Sequence, residues 1–251
     1  LAVTRSWRRI AAIMRNPRLM ALTAVAGLLI YVNWQAFLLG TLSGHVVETS
    51  LGYFINPIFT VLLGVLVLHE RLRPLQWAAV ILAAAAVVVI IVGYGAVPWI
   101  ALVLTASFGF YGLVKKSVGP SVDAVSGLTL ESMWLVPIAL VQLSIVATTT
   151  GLVIGTVSVW HTLLVAGVGI ATATPLLLFA AGARRVPLSV VGLLQFAAPI
   201  LQFVIGVWVL HEPMPTGRWI GFGIVWISLI LLTVDSLRAA RRRQAAPPLP
   251  Q

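Results

Sequence analysis

Two His-Glu dipeptides, His69-Glu70 and His211-Glu212, stand 142 positions apart and are the first candidates for chemistry. A zinc-hydrolase helix needs a second His four residues after the first, and those positions hold Arg73 and Pro215. The chain has no Cys, so thiolate metal sites and disulfides are excluded. Four His, six acidic residues and no Cys assemble neither a nucleophile–base set nor a metal cluster. The chain is therefore not expected to be an enzyme or to carry a cofactor or metal. The two pairs read instead as helix ends with a capping or gating role.

The remaining candidates are polar groups embedded in apolar sequence. Glu131 lies in Leu128-Thr129-Leu130-Glu131-Ser132-Met133-Trp134. An ionisable group inside a bilayer is costly and is a functional suspect, so Glu131 is either a proton carrier or an interfacial carboxylate. Glu48, with His45, sits at the mouth of another apolar run as a gate or a solvated group. Asn33-Trp34-Gln35 falls mid-run, and its repeat mate contains Thr174 beside Pro175. Polar groups at matching depth in both halves are what a midplane binding site needs, although interhelical hydrogen bonding gives the same pattern. Asn56-Pro57 and Pro199 mark a second common depth, and Gln195 and Gln202 share a face by their seven-residue spacing. Tyr111, with Lys115 and Lys116 after it, completes the set of cavity candidates.

The elements that must position these residues are membrane spans. Hydrophobic residues make up 60% of the chain and charged ones 9%, with a mean hydropathy of +1.07. No soluble fold buries that much apolar surface. Apolar runs long enough to cross a bilayer fall near 19–40, 50–68, 75–94, 98–115, 127–148, 158–180, 188–210 and 217–235. Of the 16 Lys and Arg, all but Arg218 lie in alternate connections or at the chain ends. The positive-inside rule then expects both ends in the cytoplasm. The net charge of +10 is used up by this topology, leaving no folded basic face for nucleic acid.

Internal repetition gives a second, independent line. Phe54, Pro57, Gly64, Val65, Val67, Leu68, His69, Glu70 and Trp77 recur in type at Phe196, Pro199, Gly206, Val207, Val209, Leu210, His211, Glu212 and Trp219. The first three spans thus match the last three, and the repeat is five spans long. An odd number of spans inverts the second copy relative to the first, as the charge pattern also requires. The expectation is an all-α integral membrane bundle: eight of ten transmembrane helices in two inverted five-helix repeats. Residues 1–96 would be the last three helices of the first repeat, 97–236 the complete second repeat, and 237–251 a disordered cytoplasmic tail.

The residues resemble a known family. ETSLGYFINPIFTVLLG at 48–64, ERLRPLQWAAV at 70–80, PWIALVLTASFGFYGLVKK at 98–116, LTLESMWLVPIAL at 128–140 and TPLLLFAAGARRVPLSVVGLLQFAAPILQF at 174–203 are similar to the EamA branch of the drug/metabolite transporter superfamily, RarD-type. The resemblance implies a ten-helix permease of the bacterial cytoplasmic membrane. Glu48, Asn56, Glu131, Gln195 and Glu212 stand where similar proteins carry the same residue types. The function expected is secondary active transport of a small drug-like or metabolic solute by alternating access, with proton coupling through Glu131. Its partners would be the bilayer, the solute, protons and, to cover an exposed face, a second copy in a homodimer. The alternative from another class is a non-transporting membrane scaffold or truncated remnant.

Overall fold

A computed structural model describes residues 7–69, 71–94, 96–118, 121–183 and 197–244, and no strand occurs among them. The helices are α1 Trp7–Met14, α2 Pro17–Leu42, α3 Val46–Leu68, α4 Pro74–Tyr94, α5 Trp99–Val118, α6 Ala124–Thr149, α7 Val159–Ala183, α8 Ala197–Val204 and α9 Thr216–Gln244. A π-helical turn, Ile205–Val209, continues α8. Five stretches are long and apolar enough to cross a membrane: Pro17–Leu42, Val46–Val67, Pro74–Val92, Val125–Thr149 and Thr216–Arg238. Shorter apolar stretches lie at Val159–Thr172 and Ala198–Val209.

Several helix starts follow from adjacent residues. The first amides of a helix lack intrahelical acceptors, and short polar side chains supply them. Asn16 Oδ1 accepts from the Arg18 and Leu19 amides at 3.1 and 3.2 Å, with Pro17 in the favoured first position. Asp123 Oδ2 accepts from the Ser126 amide at 3.2 Å, and Ser158 Oγ from the His161 amide at 3.0 Å.

Two compact units emerge. One comprises Leu1–Leu28 and Val118–Val191, the other Leu29–Ser117 and Gly192–Gln251. In the first, Ile10 and Ile13 of α1 pack with Val118, Val122 and Leu130, and with Leu19, Met20 and Leu22. There α2 and α6 run so close that a Cβ on Gly27 would stand 3.0 Å from the Glu131 carbonyl oxygen.

The second unit is built around α3, α4 and α9, with a core that includes Leu51, Phe54, Ala79, Ala83, Ala86, Phe203, Phe222 and Val225. Phe203 and Phe222 pack with ring centroids 4.7 Å apart. α4 and α9 run antiparallel. Arg73 pairs with Asp235 at 2.5 Å before the start of α4, Ser228 Oγ donates to the Ala79 carbonyl at 2.6 Å, and Gly221 abuts Ile90 and Ala86. The sequence shift of 142 carries Ala79 to Gly221 and Ala86 to Ser228, so both crossing points use the same two register positions. The small residues there let the backbones approach, the usual device where lipid removes any hydrophobic drive between helices.

The helices add to the sequence reading at three places. α9 continues to Gln244, past the expected end near 235, because Leu237 to Gln244 are mostly good helix formers. A short amphipathic helix, α1, precedes the first span. The spans carrying Pro57, Pro137 and Pro175 run on through the proline, which apolar helices tolerate when neighbours take up the freed backbone groups.

Filling the Gly221 contact should be costly. Gly221→Ala drives a Cβ into Ile90 and is expected to destabilise by about 1–3 kcal/mol. Adding Ile90→Ala should recover part of the loss in thermal unfolding of the detergent-solubilised protein. No recovery would disprove the contact.

Candidate functional site

The second unit holds two carboxylates that cap helices far from them in sequence. His211 adopts a left-handed conformation, φ 53°, and the Glu212 amide donates to Gly206 O at 2.9 Å. In this turn the Glu212 carboxylate reaches the start of α3. Its two oxygens accept from the Val46 and Val47 amides at 2.5 and 3.0 Å. Glu48, two residues along, repeats the device: its Oε1 accepts from the Ile100 and Ala101 amides of α5 at 2.8 and 3.4 Å. The first turn of α3 is therefore capped by one glutamate and carries another that caps its neighbour. Both side chains are buried. A carboxylate there also complements the positive end of the helix dipole.

The repeat mate His69 ends α3 in the same left-handed geometry, φ 54°, with its amide donating to Gly64 O. Both conformations are rare for a residue with a Cβ, and they fall at equivalent positions of the two sequence copies. Glu70 lies outside the described residues.

Beside Glu48 a cavity of about 250 Å³ opens, and its lining includes the polar His45, Glu48 and Arg218 and the apolar Leu51, Ile90, Trp99 and Phe222. Arg218 is buried, and its Nη1 donates to the Pro213 carbonyl at 3.2 Å. His45 Nδ1 lies 3.0 Å from Ser43 Oγ.

A separate polar cluster forms around Asn33, which is 2% exposed. Its Nδ2 donates to Leu104 O and Ser107 Oγ, both at 3.0 Å. Its Oδ1 accepts from the Tyr53 hydroxyl at 3.2 Å. Tyr53 in turn joins a row of rings, Phe37, Tyr53, Phe108 and Tyr111, with centroids 6.0–6.4 Å apart. Lys115 Nζ lies 5.6 Å over the Tyr111 ring.

The other sequence candidates are more scattered. Glu131 is buried in the first unit, 2% exposed. Thr174, in that same unit, is exposed and its hydroxyl donates to Ile170 O on its own helix. Trp34 is 44% exposed while Asn33 beside it is buried, because successive helix residues face different ways. Asn56 Oδ1 and Gln202 Oε1 are buried without a hydrogen bond among the described residues. Gln195 lies outside those residues. Sequence reasoning passed over Ser107, Tyr53 and Arg218 as site residues. For Arg218 a signal existed: it is the one basic residue off the alternating charge pattern.

Five helices long and apolar enough to cross a membrane fit a multi-pass helical membrane protein. The family model for EamA-like transporters matches residues 3–92 and again 97–234. The chain belongs to the EamA-like transporter family, and it is a bacterial membrane transporter of the drug/metabolite class. It is 46% identical to protein RarD of Streptomyces exfoliatus over 98% of this chain and 77% of that one. It is 36% identical to protein RarD of Escherichia coli over 96% and 81%, respectively. With an uncharacterized transporter of Vibrio cholerae it shares 39% identity over 96% and 80%. No solved structure matches the chain.

The cap on α3 makes its own prediction. Glu212→Ala leaves the Val46 and Val47 amides without their acceptor in an apolar setting and should cost about 1–3 kcal/mol. Glu212→Gln keeps an acceptor oxygen and should cost less. Unfolding curves of the two variants in one detergent check the order, and equal losses would refute the cap.

Proposed function

We propose that the protein moves a small drug-like or metabolic solute across the bacterial cytoplasmic membrane by alternating access. Two inverted repeats, within residues 1–96 and 97–236, would rock around a polar midplane site. The observation that carries this reading is the reciprocal α4–α9 contact. The helices are repeat mates, they run antiparallel, and the pairs Ala79–Ser228 and Ala86–Gly221 exchange under the repeat shift. A two-fold axis in the membrane plane relates inverted repeats and makes such a contact isologous. The duplicated left-handed His and the two matches to one family model support the same reading.

In this reading Asn33, with Tyr53 and Ser107, forms the polar part of the solute path, and Trp34, Asn56, Tyr111, Thr174, Gln195 and Gln202 remain cavity candidates. Glu48 and Glu212 act at the gate by holding helix starts in place, with His69, Glu70 and His211 at the repeat ends. Glu131 is the candidate proton carrier, supported by its burial. Both chain ends face the cytoplasm, and a second copy completes the assembly as a homodimer.

The chain's lack of Cys makes inversion directly testable, since an introduced thiol is unique. In intact cells a membrane-impermeant maleimide should label Pro215→Cys and leave Arg71→Cys unlabelled until the cells are opened. Labelling of both from one side would overturn the inversion. For coupling, Glu131→Gln in proteoliposomes should abolish solute-dependent proton flux while the protein still inserts. Wild-type flux from that variant would remove Glu131 from the mechanism.

A further inference from the structure

We infer that the cavity beside the capped starts of α3 and α5 binds a small dipolar solute, its cationic group on Glu48 and its anionic group on Arg218. This deepens the transporter reading and rests on it for treating the ligand as cargo.

The argument begins with charge. Glu48 and Arg218 are 8% and 6% exposed, and both line the cavity. A buried charge is tolerated only when matched. A cavity walled by one group of each sign is balanced as it stands, and a ligand bearing a single charge upsets that balance. A ligand bearing both preserves it and gains a charge-assisted bond at each end.

The donor and acceptor inventory agrees. The two helix amides that Glu48 holds both use Oε1. Its Oε2 accepts no hydrogen bond among the described residues, and an ammonium is the donor such an oxygen calls for. A guanidinium has five N–H donors, enough to keep its protein partners, Pro213 O among them, and to meet a carboxylate as well.

Size and walls narrow the class. At about 30 Å³ per water in the liquid, a 250 Å³ cavity takes a solute of roughly eight heavy atoms. Leu51, Ile90 and Phe222 add apolar lining suited to a short hydrocarbon body. His45 also lines the cavity as a further hydrogen-bonding group. A zwitterionic lipid headgroup shares this chemistry, so the test must separate the two sources.

Calorimetric titration of the purified protein in detergent, with 4-aminobutyrate, butylamine and butyrate as matched probes, decides the matter. The dipolar probe should bind saturably, and each single-charge probe about tenfold or more weaker, the worth of one charge-assisted hydrogen bond. Glu48→Gln keeps an oxygen for the α5 amides while removing the charge. It should lose the 4-aminobutyrate preference over butyrate. Arg218→Lys keeps the charge without the fork and should weaken 4-aminobutyrate while sparing butylamine. Cooperative melting of each variant shows that it is folded. Butyrate binding as well as 4-aminobutyrate, a preference that survives Glu48→Gln, or no heat from any probe at millimolar concentrations would overturn the inference. In nanodiscs of phosphatidylethanolamine, retained binding confirms the free solute, whereas loss gives the cavity to the headgroup and overturns it. Because binding is read without flux, loss of binding with transport intact would sink this site alone. Binding with no flux of any solute would sink the transporter reading instead.

Discussion

The second unit depends on satisfying backbone amides at helix starts that are buried inside the protein. In water an uncapped first turn is solvated at little cost; in hydrocarbon each unsatisfied amide costs several kcal/mol. Here α2, α6 and α7 take their acceptors from the residue just before them or nearby. α3 and α5 take theirs from glutamates 166 and 52 residues away. Those two carboxylates do more than terminate helices. They fix the start of α3 against the turn after α8, and the start of α5 against α3, so the secondary structure and the tertiary arrangement share the same hydrogen bonds.

Packing follows the same logic. With lipid as apolar as the side chains, close backbone approach must hold the helices. Gly52 brings α3 against α5, since a Cβ there would meet Ala101 O at 2.9 Å. Gly206 sits so close to α3 that a Cβ would stand 3.1 Å from the Val47 amide nitrogen and 3.4 Å from Glu212 Oε1. The glycine therefore leaves room for the carboxylate to reach its amides, which links the small-residue contacts to the caps. The cavity adjoins this junction, and Glu48 belongs to both.

Much of this was legible in the residues, and the part that was not has a physical reason. The all-helical membrane class came from composition, and the family from sequence motifs that resemble it. The caps at Asn16-Pro17 and Asp123 were open to reading because donor and acceptor are sequence neighbours. A capping or gating role was read for Glu212, but the helices that Glu48 and Glu212 cap were not, because their partners are amides distant in the chain and an amide has no residue type. Trp34 was grouped with Asn33 by adjacency, which helical geometry separates by about 100° of rotation. Thr174 was favoured for its neighbour Pro175, yet the helix passes through that proline unbroken.

The distance between Glu212 and the amides it holds also bears on how the protein comes into being. The start of α3 leaves the ribosome 166 residues before the carboxylate that completes it. At roughly 5–20 residues per second, that is a wait of roughly 8–30 s. The acceptor for the first amides of α3 thus arrives only with the turn that follows α8.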